Sequence, residues 1–341
     1  MKKIWVFALV FLIMLLAACS NNETDNSDES EMNEETTEDA TEDSSSEEER
    51  SITIEDAMGE VTIDGTPQKI VVLEWTYAED LQALGMEPVG VAGLDSYGDW
   101  VDVGIPFSDS VENVGTRAEP NLEAISRLEP DLIIGVQFRH EAIADQLEQI
   151  APTVMFAPYS EEAAQDQYQN MIDEFNTIAE IVDKEVEAEQ VLSDMEATFE
   201  EQRARLEENG QSNINYVITQ AFTSQNTPTL RLFTDNSMVA RIMNNMGMTN
   251  SYESENLEIY GYTSTTVETL QNYQDAHFFY IVQEEDNIFE NQLAGNPAWE
   301  NLSFVEEGRT YQMPGSTWTF GGPLSAEVLA KQVADSVIEQ Q

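Results

Sequence analysis

Between Glu161 and Glu208 the chain contains neither glycine nor proline, and no other stretch limits the fold as strongly. Met171, Phe175, Ile178, Ile181 and Val182, then Val186, Val191, Leu192, Met195, Phe199 and Leu206, recur near helical spacing, the pattern of helices that lay one face on a core. Two helices fit, broken near Asp183-Lys184. The second, Glu185 to Glu208, is about 35 Å long at 1.5 Å per residue, enough to connect two separate bodies.

On the N-terminal side of this segment, strands and helices alternate. Ser51 to Ile63 alternates apolar and polar residues with Gly59 at a turn, which predicts a hairpin. Ile70 to Leu73, Val89 to Ala92, Asp131 to Val136 and Thr153 to Phe156 read as buried strands. Tyr77 to Leu84, Leu122 to Leu128 and Ile143 to Ile150 read as helices between them. That order predicts a parallel sheet with helices on both faces. After Asn209-Gly210 the alternation resumes: strands at Tyr216 to Thr219, Thr229 to Phe233 and Phe278 to Val282, helices at Met238 to Met246, Val267 to Tyr273 and from Ser325 onward. The expected organisation is an α/β lobe over residues 51–182, a connecting helix over 183–209 and a second α/β lobe over 210–341. Ligands of open α/β sheets bind outside the carboxyl ends of the strands, so two facing lobes make a cleft.

The N-terminus reads as an export signal over residues 1–18: Lys2-Lys3, an apolar run from Ile4 to Leu16, then the small residues Ala17-Ala18 before Cys19. The apolar run is short against the roughly 20 residues of a transmembrane helix. Residues 19–50 are acidic and polar with almost nothing apolar, the composition of a disordered, self-repelling tether. Cys19 is the sole cysteine, which excludes an intramolecular disulfide and a thiolate metal cluster. The formal charge of -52 argues against nucleic acid and anionic lipid surfaces as partners; adaptation to salt or high external pH explains it more simply than a specific role. With 14 Lys and Arg in the whole chain, any basic residue at a strand end is conspicuous.

Several blocks occur in a telling order. They are Val71-Val72-Leu73-Glu74-Trp75-Thr76-Tyr77-Ala78-Glu79-Asp80-Leu81, Val114-Gly115-Thr116-Arg117-Ala118-Glu119-Pro120-Asn121-Leu122, Glu129-Pro130-Asp131-Leu132-Ile133-Ile134, Phe138-Arg139-His140-Glu141, Gly261-Tyr262-Thr263-Ser264-Thr265-Thr266-Val267-Glu268 and Thr317-Trp318-Thr319-Phe320-Gly321-Gly322-Pro323-Leu324-Ser325. Together they resemble the siderophore-binding proteins of bacterial ABC importers, especially the ferric hydroxamate and ferric citrate branch, over essentially the whole globular part. The residues before Cys19 likewise resemble the lipobox of bacterial lipoproteins, which implies that Cys19 is acylated and anchors the chain on the extracytoplasmic face of the cell membrane. The resemblance implies two Rossmann-like lobes joined by one long α-helix, the type III periplasmic-binding-protein arrangement. It also implies a monomer without cofactor or catalytic residues, whose partners are a ferric siderophore and permease subunits with a cytoplasmic ATPase.

A ferric siderophore already fills the coordination sphere of its iron, so a receptor needs cations for chelate oxygens and aromatic faces for the organic shell, not metal ligands. The resemblance gives Arg117 contact with the iron-coordinating oxygens. Arg139, at the carboxyl end of the Ile133 strand, is a second clamp, and Arg231 a third candidate; a surface salt bridge is the plain alternative for each. Trp75 and Tyr77 lie past the first long strand, Trp318 and Phe320 precede Gly321-Gly322, Tyr260 and Tyr262 flank Gly261, and Phe138 belongs to the block with Arg139; aromatic residues also build cores. His140 is either a donor to a chelate carboxylate or a structural histidine. Glu141 and Glu268 match the positions at which relatives pair with permease arginines, against the alternative of ordinary solvated carboxylates.

Two histidines, His140 and His277, disfavour a receptor for bare zinc or manganese. Nothing pairs the many carboxylates with a nucleophile or phosphate loop, so an enzyme is disfavoured. Haem or cobalamin capture stays open, as does a structural lipoprotein. Two arginines suit a chelate bearing both hydroxamate and carboxylate groups, with ferric citrate and trihydroxamates as competitors.

Overall fold

A computed structural model describes residues 50–340. The expected signal over 1–18, the acylation site Cys19 and the tether up to residue 49 lie outside the described residues. Ser51–Asp56 and Gly59–Asp64 pair as the expected hairpin. Beyond it, Ile70–Val72 takes the centre of a five-stranded parallel sheet whose order is Glu112–Asn113, Gly90–Val91, Ile70–Val72, Leu132–Val136, Thr153–Phe156. The chain winds outward from Ile70–Val72 in one direction, then crosses back and winds outward in the other. The strand order therefore reverses between Ile70–Val72 and Leu132–Val136, and the crevice beyond their carboxyl ends is where such a sheet offers a site. The three inner strands are buried on both faces, which is why they read as unbroken apolar runs.

The second sheet departs from expectation. Its order is Tyr262–Thr265, Thr227–Phe233, Asn215–Ser224, His277–Val282, Thr310–Pro314, with the short Thr249–Asn250 also paired to Asn215–Ser224. His277–Val282 and Thr310–Pro314 run parallel to their neighbours, but Asn215–Ser224, Thr227–Phe233 and Tyr262–Thr265 form an antiparallel meander. The hairpin turns at Gln225 and Asn226, with φ of 48° and 61°, the paired positive dihedrals of a primed turn. Asn-Gly is its usual sequence signal; Gln-Asn is a weak one. Val267–Asn272 is a 3-10 helix rather than an α-helix, a form used in short pieces.

The segment free of glycine and proline forms helices Gln167–Ile181 and Glu185–Glu208, and Asp183 between them takes φ 60°. Both helices divide their apolar faces between the two lobes. Phe175, Ile178, Ile181 and Ala188 join the core of the first sheet; Tyr168, Met171, Met195, Phe199 and Leu206 join that of the second. Val186 is exposed. The C-terminal helix Pro323–Glu339 returns to the first lobe at its N-terminus, where buried Glu79 accepts from Ser325 N and Oγ, both at 2.6 Å. Thr76 Oγ1 donates to Phe320 O at 2.6 Å beside it. No helix of the described residues is long and apolar enough to cross a membrane.

Candidate functional site

Glu74, two residues past the strand Ile70–Val72, caps the helix Trp75–Ala83, which places its carboxylate at the point where the strand order reverses. It is 8% exposed and receives two arginines from opposite sides. Arg117 Nη1 donates to Oε1 at 2.5 Å, and Arg139 Nε donates to Oε2 at 3.0 Å. Arg117 reaches it from the loop after Glu112–Asn113. Gly115 turns that loop at φ 98°, and a Cβ there would come within 2.7 Å of Asn121 N and 2.8 Å of Glu119 O, so only glycine fits. Arg139 comes from the short helix Gln137–His140 that follows Leu132–Val136.

His140 does not line the cavity, so of its two readings the structural histidine stands and the ligand donor is corrected. Its Nδ1 accepts from Val136 N at 3.0 Å and its Nε2 donates to Arg117 O at 2.8 Å. The ring is fully buried, and burial holds its pKa below the ordinary value. Its role is to tie the Arg117 loop to the strand end that carries Arg139. Trp75 is corrected likewise: it is buried behind Arg117, whose guanidinium lies 3.6 Å above its ring centroid, and its Nε1 donates to Ala92 O at 3.0 Å. It holds Arg117 in place and does not line the cavity.

The cavity in front of the two arginines is about 330 Å³, at the lower end of the range for small-molecule sites. Arg117, Arg139, Tyr77, Phe138, Trp318, Phe320, Tyr260, Tyr262 and Arg231 all line it. The aromatic residues form an arc across both lobes: Phe138 meets Tyr159 at 5.2 Å between centroids, Tyr159 meets Tyr260 at 4.8 Å, and Tyr260, Tyr262, Phe320 and Trp318 continue it at 5.6 to 6.2 Å. Tyr159 was not anticipated, although it follows the strand Thr153–Phe156 and the position past a strand end is its signal. Arg231 lies within its strand, between the rings of Phe222 and Tyr262, and donates from Nη1 to Gln220 at 3.0 Å. Glu141 and Glu268 are exposed and stand outside the cavity lining.

Each guanidinium at the mouth gives one nitrogen to Glu74 and keeps further N–H groups for a ligand. One carboxylate between two arginines leaves an excess positive charge, held in fixed geometry, which suits exposed chelate oxygens. Among the described residues no group of three or more His, Cys, Asp or Glu is placed to hold a metal ion. The inner end has the opposite character. Asp80 and Glu174 line it; Glu174 accepts from Tyr77 Oη at 3.1 Å and from Asn170 at 3.0 Å. Burial outweighs these bonds and raises the Glu174 pKa to about 7.

The folded protein thus keeps the Glu174 proton up to about pH 7, while the unfolded chain releases it near 4.5. Its effect on stability is nil below pH 4.5 and increasingly unfavourable as pH rises through that window. Thermal melts of the wild type and Glu174→Gln across pH 4 to 8 test this: the difference between the two curves shifts in favour of Gln by about 3 kcal/mol over the window. A pH-independent difference contradicts it.

A profile of the periplasmic binding protein family matches residues 70–317. The chain is 32% identical over 330 residues to the Fe(3+)-citrate-binding protein YfmC of Bacillus subtilis, covering 96% of this chain and 95% of that protein. It is 29% identical over 339 residues to the probable siderophore-binding lipoprotein YfiY of Bacillus subtilis, covering 96% and 95%. The crystal structure of the Fe3+-Desferal-bound siderophore-binding protein FhuD from Vibrio cholerae superposes with a TM-score of 0.71 at 28% identity, over 80% of this chain and 98% of that one. The two α/β sheets bridged by long helices, the cleft at the strand-order reversal and the family match over most of its length lead to one assignment: this chain belongs to the periplasmic binding protein family.

Proposed function

We propose that the chain is the extracytoplasmic receptor of an ABC importer, which captures a ferric siderophore of hydroxamate or citrate-hydroxamate type and delivers it to the permease. The observation that carries this reading is the pair of guanidinium groups held by Glu74 at the mouth of an aromatic-walled cavity. Chelate oxygens take the free N–H groups of Arg117 and Arg139, and the organic shell packs on Phe138, Tyr159, Tyr260, Tyr262, Phe320 and Trp318. The ligands named for YfmC and for the Vibrio cholerae FhuD structure have the iron-bound oxygen chemistry that such a clamp recognises.

Acylation at Cys19 anchors the chain to the cell membrane, with residues 20–50 as the spacer; the lipoprotein name of YfiY supports this. The receptor acts as a monomer of lobes 51–182 and 210–341 about the helical connection at 183–209. Glu141 and Glu268, one on each lobe and both exposed, dock on arginines of the permease subunits, which a cytoplasmic ATPase drives.

Titration of the purified protein with ferric hydroxamates, ferric citrate and haem, read by tryptophan fluorescence, tests the ligand class. Saturable quenching by a ferric hydroxamate or citrate chelate, weaker with the iron-free form, is expected, and Arg117→Ala and Arg139→Ala each lower affinity at least about tenfold. Quenching by haem alone, or by no chelate, contradicts the reading; unchanged affinity in Arg139→Ala removes the two-arginine clamp. The docking role has its own readout: the double variant Glu141→Lys, Glu268→Lys keeps its ligand affinity and loses iron uptake in cells, and normal uptake contradicts it.

A further inference from the structure

Folded proteins leave few buried polar atoms without a partner. Among the described residues four side-chain atoms stand so: Asp80 Oδ1, Arg231 Nε, Trp318 Nε1 and Thr319 Oγ1. All four residues line the one cavity described above. The four residues that carry these unpartnered atoms wall one cavity, and the chemistry of each atom says which kind of ligand group would satisfy it.

Trp318 Nε1 and Arg231 Nε can only donate, so they suit the same oxygen-rich surface as Arg117 and Arg139. Asp80 accepts, and the Thr319 hydroxyl does both. Asp80 and Thr319 are 1% and 2% exposed, far more enclosed than the arginines at the mouth. Glu79, next in the chain, shows what a structural buried carboxylate looks like here: both its oxygens are taken by Ser325. Asp80 lies against Gly322 at the start of the same helix, where a Cβ would come within 2.1 Å of Oδ1, yet it draws no hydrogen bond from it.

We infer that the inner end of the cavity is a specificity-determining subsite, in which Asp80, with Thr319 beside it, receives a hydrogen-bond-donating arm of the chelate, an amine or hydroxyl that projects away from the iron. The inference rests on the receptor reading above and narrows its substrate class to chelates with oxygens at one end and a donor at the other. Burial, followed by the nearby charges of Glu79 and Glu174, pushes the Asp80 carboxyl well above its usual range. A carboxyl so poorly served by its own surroundings is one that a donor from outside relieves.

Two ferric trihydroxamates with one iron core test it: ferrioxamine B, whose pendant arm ends in an ammonium group, and an analogue whose arm ends in methyl. The wild type is expected to bind the ammonium-ended probe at least about tenfold more tightly. Asp80→Asn and Thr319→Val bring that ratio towards one by weakening the ammonium-ended probe more than the methyl-ended one, and leave the thermal midpoint of the unliganded protein unchanged or raised, because neither atom has a protein partner to lose. Equal binding of both probes by the wild type overturns the inference, as does a variant that weakens both alike. Lower thermal midpoints with an unchanged ratio also overturn it, assigning both residues to the fold. Absence of quenching by either probe contradicts the receptor reading itself and this inference with it.

Discussion

Two consecutive helices, Gln167–Ile181 and Glu185–Glu208, bury their apolar faces in both lobes at once, and everything else in the molecule is arranged around that sharing. Swinging the lobes apart would uncover side chains such as Phe175 and Ile178 on one side or Met171 and Met195 on the other. Full exposure costs about 1.5–3 kcal/mol for each large apolar side chain. That shared burial opposes a large swing of one lobe against the other. The connections from Glu79 to Ser325 and from Thr76 to Phe320 hold the lobes together from the other end.

Within that frame, the cavity wall carries both charged and aromatic groups. Glu74 keeps two guanidinium groups side by side that would otherwise repel, while Trp75 and His140 fix the loop that delivers one of them. The cavity wall brings together the guanidinium groups of Arg117 and Arg139, an aromatic arc and the buried carboxyl groups of Asp80 and Glu174. Such preorganisation limits the ordering cost of binding. It leaves the free protein holding strained acids, Glu174 with its pKa near 7 and Asp80 without a partner.

The first lobe was legible because Ile70–Leu73, Leu132–Val136 and Thr153–Phe156 are apolar and buried, and a strand end in a parallel sheet points at the site. That rule pointed to Tyr77 and Arg139, and the family resemblance to Arg117; all three line the cavity. The rule misplaced Trp75 because it gives position, not side-chain direction: that ring folds behind Arg117, and His140, left open between two readings, turns into the fold. The second lobe was less legible. Gln225-Asn226 adopts a hairpin turn without the glycine that usually marks it, and the polar outer half of Asn215–Ser224 hid the strand's length. Asp80 and Glu174 gave no signal, since a carboxylate on a helix in so acidic a chain reads as solvated until packing shows it buried.

The measurement that bears most directly on the account is the position of iron in crystals grown with a ferric hydroxamate or ferric citrate chelate, located by anomalous scattering at the iron edge. A single iron site is expected in the cavity in front of Arg117 and Arg139, with chelate oxygens within hydrogen-bonding distance of both guanidinium groups and no protein atom coordinating the metal. Iron bound directly by protein carboxylates, or a chelate seated away from the two arginines, would contradict it.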